Sequence, residues 1–183
     1  ERGFSISTSI APIIWEGTRL NVLDAPCYPD FVGDAYAAMS ACETALFMVD
    51  AASGPGTITT RLWYAAEEQS LARAIFVNRI DRPDADFDVA MSALQDRFGN
   101  SLAPVTIPMG SGEAFKGIID VVHMKARHLE SGKPVVEDVP AEFADAAEAA
   151  RAQLTELVVE ADDEVMMKYL EGEEQLTQEE LEG

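Results

Sequence analysis

Residues 45–56 read ALFMVDAASGPG, and the first eight of them decide the fold. An apolar run broken by a single aspartate and closed by Ser-Gly-Pro-Gly lacks the alternation of a half-wet strand and the spacing of a surface helix. It reads as a strand buried on both faces, the environment of a parallel strand between layers of helices. Upstream, Phe31, Ala35, Ala38, Met39 and Cys42 fall at helical spacing, and downstream Ile58, Leu62, Ala65 and Ala66 do the same. ARAIFVNRID (72–81) is a second strand of this kind, ending in polar residues. Phe87, Met91, Leu94 and Phe98 then mark a third helix, closed by Gly99-Asn100. Helices alternating with buried strands predict an α/β fold with a mostly parallel sheet covered on both faces.

Further out the pattern changes. Residues 5–15 and 18–23 are strand-like and flank Glu16-Gly17, which predicts a β-hairpin. Beyond about residue 103, short strands are expected at 105–108, 117–124 and 134–139, joined by GSGEAF and ESGK turns. A long amphipathic helix follows, with Phe143, Ala147, Ala150, Leu154, Leu157, Ala161 and Val165 on its apolar side. The expected organisation is therefore a main α/β domain over residues 1–102 and a small α+β subdomain over 103–183.

The 183 residues are 48% apolar, enough for a sizeable core, and carry a formal charge of −20. That sign excludes a free-standing nucleic-acid binder, which needs a basic surface to displace counterions from phosphates. Net −12 of this charge lies in residues 140–183, either as a solvated surface or as an acidic face for a basic protein partner. Cys27 and Cys42 are too few for a disulfide framework, and nothing reads as a signal peptide. No apolar run approaches the roughly 20 residues that span a bilayer. A cytoplasmic protein with no membrane partner is expected. The chain starts without methionine and stops at EELEG, which reads as a piece of something longer.

LNVLDAPCYPDF (20–31) carries the first chemical signal: an apolar strand ending on Asp24, then a proline-rich loop. The second is Asn78 and Asp81 after the IFV strand. Ligands of open α/β sheets bind at the carboxyl ends of strands, so these residues are placed to meet one. Taken singly, Asp24 is equally a helix-capping carboxylate, and Asn78 and Asp81 are equally ordinary turn residues. Two strands delivering D-x-P-x and N-R-x-D to one sheet edge resemble the DxxG and NKxD elements of GTP-binding proteins. With ERGFSI, FMVDAASG, VNRID and FKGIIDVV in the same order, the chain resembles the translational GTPases, elongation factor G and its relatives in particular. The segments VTIPMGSGEAFKGIIDVVHMKA, VEDVP and EADDEVMMKYLEGEE are similar to the insert inside that factor's G domain, so the resemblance spans the whole chain.

The resemblance implies an incomplete P-loop-type G domain with its inserted subdomain, GTP and GDP as ligands, Mg²⁺ as cofactor, and hydrolysis coupled to ribosome function. Asp24 would bind Mg²⁺, through a water, since the ion prefers hard oxygens and keeps part of its hydration. Ser5 aligns with the threonine of RGITI, whose hydroxyl reaches Mg²⁺; otherwise it is a plain strand serine. Cys27 stands where a glycine lets the backbone approach the γ-phosphate, and Tyr28 where a histidine positions the attacking water. Asn78 would brace the base-reading loop, Arg79 would stack on the base in place of a lysine, and Asp81 would accept from guanine N1–H and its exocyclic amine. The acidic helix over 142–170 would face basic surface on the ribosomal stalk proteins.

The changes at Cys27 and Tyr28 leave open a ribosome-bound pseudo-GTPase or adaptor. A nucleotide-free interaction module is a third reading, against which Asn78 and Asp81 speak. His123 and His128 read as surface or structural histidines. No GxxxxGK[ST] occurs in the sequence, so residues 1–183 alone are expected to bind GTP poorly and to be inactive. In the family that loop lies upstream, and the last guanine-contacting loop downstream.

Overall fold

The computed structural model describes residues 4–161 and 165–167. Two compact units, Glu1–Asn78 and Arg79–Gly183, divide the chain. Fold class follows expectation: strands and helices alternate in the first unit, and an antiparallel sheet with helices makes up the second.

The first unit opens with β1 (Ser9–Trp15) and β2 (Thr18–Asp24), an antiparallel hairpin with Trp15 opposite Thr18 and Ser9 opposite Asp24. Glu16 (φ 48°) and Gly17 (φ 83°) turn it, the left-handed pair a two-residue hairpin turn needs. Helix α1 (Val32–Met39) follows the proline-rich loop and buries Ala35 and Met39. Strand β3 (Thr44–Asp50) pairs in parallel with β4 (Ala72–Asn78) across helix α2 (Thr57–Glu68), the βαβ unit that the two apolar runs predicted. Phe47 and Val49 of β3 are buried, and Phe47 meets Trp63 of α2 at 5.2 Å between ring centroids. Arg73 of β4 lies 4.4 Å over the Trp63 ring and pairs with Glu67, tying α2 to the strand after it.

Two expectations need correction. The runs ALFMVD and AIFVN are not buried on both faces, because burial alternates along each strand. Leu46, Met48 and Phe76 are 60%, 56% and 52% exposed. The unbroken apolar run recorded two apolar faces, but the described helices of this unit cover only one. Second, β2 does not join the parallel sheet: among the described residues it is hydrogen-bonded to β1 alone, and β3 to β4 alone. Its NVL run is likewise exposed rather than buried, apart from a half-buried Leu23.

The second unit holds α3 (Phe87–Phe98), whose first turn is capped by the Asp86 carboxylate accepting from the Val89 amide at 3.1 Å. A four-stranded antiparallel sheet runs β5 (Thr106–Met109), β6 (Gly117–Asp120), β7 (Lys125–Glu130) and β8 (Lys133–Asp138) in sequence order. The single strand expected over 117–124 is thus β6 and a turn, and β7 was not foreseen. Its residues KARHLE bury only Ala126, which leaves no apolar alternation to read. Helix α4 (Ala144–Ala161) lays Ala147, Ala150 and Leu154 over Ile107, Met109, Ile119, Val121 and Ala126 to form this unit's core, joined by Val165. Arg151 donates from α4 to the carbonyls of Val121 and Val122. The helix's one described base thus closes the β6–β7 turn instead of serving the surface. The remainder of the helix expected over 142–170 lies largely outside the described residues.

Candidate functional site

Ser5 and Asp24, both expected as oxygen ligands from the same resemblance, meet in the structure. The hairpin register sets Ser9 against Asp24, so the segment ahead of β1 returns to the end of β2. There Ser5 Oγ donates to Asp24 Oδ2 at 2.9 Å. The segment is pinned again at Thr8, whose amide donates to Asp34 of α1 at 3.3 Å. Phe4 stacks on Tyr28 with ring centroids 4.4 Å apart and planes at 27°. Residues 4–5 therefore lie along the 24–28 loop, which is anchored by the fully buried Pro26 while Cys27 and half of Tyr28 stay exposed. Sequence reasoning placed Ser5, Asp24 and Tyr28 individually; the stack on Phe4 it missed.

One hydroxyl and one carboxylate oxygen in contact are a donor set that suits Mg²⁺, a hard cation that fills its remaining positions with phosphate oxygens and water. Among the described residues no group of three or more His, Cys, Asp or Glu side chains could hold a metal by itself.

Asn78 ends β4 opposite Asp50, which ends β3. The two strand ends are locked together: the Ala51 amide donates to the Asn78 carbonyl at 2.9 Å, and Asp50 Oδ1 accepts from the amides of Ala52 and Ser53 at 3.0 and 3.2 Å. Asp50 was passed over in the sequence, although Asp before Ala-Ala-Ser-Gly is an Asx-turn signal. Arg79 follows at φ 60°, a conformation that side chains seldom adopt, and the Arg82 amide returns to its carbonyl at 3.2 Å. Asp81 in this turn is exposed. Asp24 and Asn78 thus terminate strands of two different hydrogen-bonded sheets, not of one. Among the described residues each of those strands has a single paired edge. Asp81 and Arg79 belong to the second compact unit.

His123 sits in the turn between β6 and β7, and His128 in β7 itself. Asp120 accepts from the His123 amide at 3.0 Å, from His123 Nδ1 at 2.9–3.0 Å and from the Arg127 guanidinium at 2.8–3.0 Å. Burial pushes the Asp120 carboxyl up, but the donors from His123 and Arg127 outweigh it and hold the group below its ordinary value. His128 Nδ1 lies 3.5 Å from Glu137. A cavity of about 560 Å³ opens between α3 and α4, walled by Met91, Ile107, Phe143 and Ala149, and none of the seven candidate residues lines it. No helix among the described residues is long and apolar enough to cross a membrane.

The family model of the elongation factor Tu GTP-binding domain matches residues 1–176. A Thermus thermophilus protein of known crystal structure matches 98% of the chain with a TM-score of 0.88 and 35% sequence identity, and the chain spans 27% of that protein's length.

Proposed function

As the chain belongs to the elongation factor Tu GTP-binding domain family, we propose that it is the nucleotide-handling part of a longer, elongation factor G-type GTPase that hydrolyses GTP on the ribosome. The observation that carries this reading is the contact of Ser5 with Asp24 at 2.9 Å, because the family pattern asks for these two oxygens together and nothing in their local sequence forces them to meet. Ser5 and Asp24 would hold Mg²⁺, directly or through water; the ion would neutralise charge on the phosphate oxygens. Asn78 would fix the turn after β4, Arg79 would stack over the base, and Asp81 would select guanine. Cys27 and Tyr28 would line the γ-phosphate side, Tyr28 occupying the place of the water-positioning histidine. Phosphate-cradling amides would come from parts of the full-length protein not in residues 1–183.

In this reading residues 1–102 serve the nucleotide and 103–183 serve a partner. The outer side of α4 carries Asp145, Glu148, Glu156 and Glu160, a surface suited to basic residues of ribosomal stalk proteins in the cytoplasm. The deciding experiment measures GDP, GTP and ATP binding to the full-length protein with and without Mg²⁺, then single-turnover hydrolysis with ribosomes. Guanine preference with ribosome-stimulated hydrolysis is expected. Absence of guanine preference would sink the reading, and binding without hydrolysis would make the protein an adaptor.

A further inference from the structure

We infer that Gly112 is a positioning residue for base selection: its amide holds the Ile80 carbonyl, next to Asp81, from a loop of the antiparallel sheet. The inference rests on the reading above, in which Asp81 recognises guanine.

The Gly112 amide donates to the Ile80 carbonyl at 2.8 Å. The approach is close and the backbone left-handed, so a side chain here would have to push its neighbours aside. A Cβ at Gly112 would stand 3.3 Å from the Arg82 carbonyl oxygen and 3.5 Å from Pro83 Cα, and its φ of 56° is left-handed. The loop offering this amide is braced by its own hydrogen bonds. Ala114 donates to the Ser111 carbonyl at 3.0 Å, Phe115 to Gly112 at 3.2 Å and Lys116 to Met109 at 3.0 Å. At its base Gly110 (φ 83°) leaves no room for a Cβ, which would fall 2.4 Å from the Ala114 carbonyl oxygen. Met109 and Ile119 root the loop's two strands in the core of the second unit.

The turn it holds carries strain of its own. Arg79 sits at φ 60° without being glycine, a state that persists where surrounding contacts impose it. A mobile Asp81 would still let phosphates bind but would lose its fixed aim at the two guanine donors. The sheet and the base-reading turn are therefore coupled, and by reciprocity base binding should stiffen the loop.

The test uses the full-length protein and compares GDP with inosine diphosphate, which lacks the exocyclic amine. Gly112→Ala should lower the GDP-to-IDP affinity ratio by about tenfold, within the range typical of coupled sites. Gly132→Ala is the matched control: it too forces alanine into a left-handed position (φ 77°), but its Cβ meets nothing within 4 Å. It should reduce stability and leave the ratio unchanged. A Gly112→Ala protein with the wild-type ratio overturns the inference. Asp81→Asn checks the underlying reading separately, since exchanging an acceptor for a donor should turn preference from GDP to xanthosine diphosphate. If that exchange fails, the site assignment falls; if it succeeds while Gly112→Ala is silent, only the clamp falls. Should Gly112→Ala not fold, amide exchange on the wild type decides: residues 110–116 should gain more protection with GDP than with IDP, and equal protection refutes the clamp.

Discussion

Ser5 Oγ and Asp24 Oδ2 lie 2.9 Å apart across the open end of a hairpin, joined by a bond that spans 19 positions of the chain. A hydroxyl and a carboxylate in contact are coupled, so their variants should not act independently. In the full-length protein Asp24→Asn should raise the Mg²⁺ concentration needed for GTP binding by about tenfold, the effect of one charged contact of roughly 1.4 kcal/mol. Ser5→Ala should do less, and the double variant less than the product of the two. An unaltered Mg²⁺ requirement in Asp24→Asn would reduce the pair to a loop hydrogen bond.

Tyr28 presents a phenol, with its ring stacked on Phe4, where the proposed function would put a water-positioning imidazole. A phenol is a weaker proton acceptor than an imidazole, which suits that role. Tyr28→His should therefore quicken ribosome-stimulated single-turnover hydrolysis, by about tenfold or more if proton handling limits the step. A slower variant would show that the stack on Phe4 matters more than the acceptor.

Glu156 and Glu160 project from the exposed side of α4. Changing both to lysine should slow association with ribosomes in low salt and leave the dissociation rate nearly unchanged, because exposed charges act mainly by steering. The difference should shrink as salt rises and the Debye length falls. Equal on-rates at low salt would make the acidic face a solvated surface. Glu164, on the same expected helix, lies outside the described residues.

Core energetics of the second unit give a sharp contrast. Ile119 is fully buried in β6 and Leu129 is 72% exposed in β7. Ile119→Ala should lower the unfolding free energy by about 2–5 kcal/mol, through lost transfer energy and an unfilled cavity. Leu129→Ala should cost no more than about 0.5 kcal/mol. Chemical denaturation of both variants checks the register of this sheet, since a one-residue slip of β6 would expose Ile119 and one of β7 would bury Leu129.

Asp120, with a side chain only 15% exposed, anchors the β6–β7 turn through His123 and Arg127. Its carboxyl is held below the ordinary value. A depressed carboxyl contributes stability that is fully present above its unfolded value of about 3.9 and is lost as pH falls through the folded one. Asp120→Asn should therefore destabilise the protein by about 1–3 kcal/mol at neutral pH, the worth of hydrogen bonds to a charged group. That penalty should fade below about pH 4, and a pH-independent penalty would assign the turn's stability to packing.

Much of the fold was legible because its signals are local. Apolar runs closed by Ser-Gly-Pro-Gly or by Asn78 announced β3 and β4, Glu16-Gly17 announced the hairpin, and apolar spacing announced helices α1 to α4. Strand β7 was silent because burying only Ala126 leaves no alternation to read. Exposure of Leu46, Met48 and Phe76 was illegible for a related reason: composition records that a face is apolar, not whether anything covers it.

For the site, sequence by itself determined the inventory: which carboxylates, amide and hydroxyl end which strands, and the motif order that assigns the family. Only tertiary structure decided who meets whom. It joined Ser5 to Asp24 and Phe4 to Tyr28, set Asp24 and Asn78 in different hydrogen-bonded sheets, and brought Gly112 to Ile80. Pairings of this kind depend on register and on the path of the chain between distant segments, and no residue carries that information in its own neighbourhood.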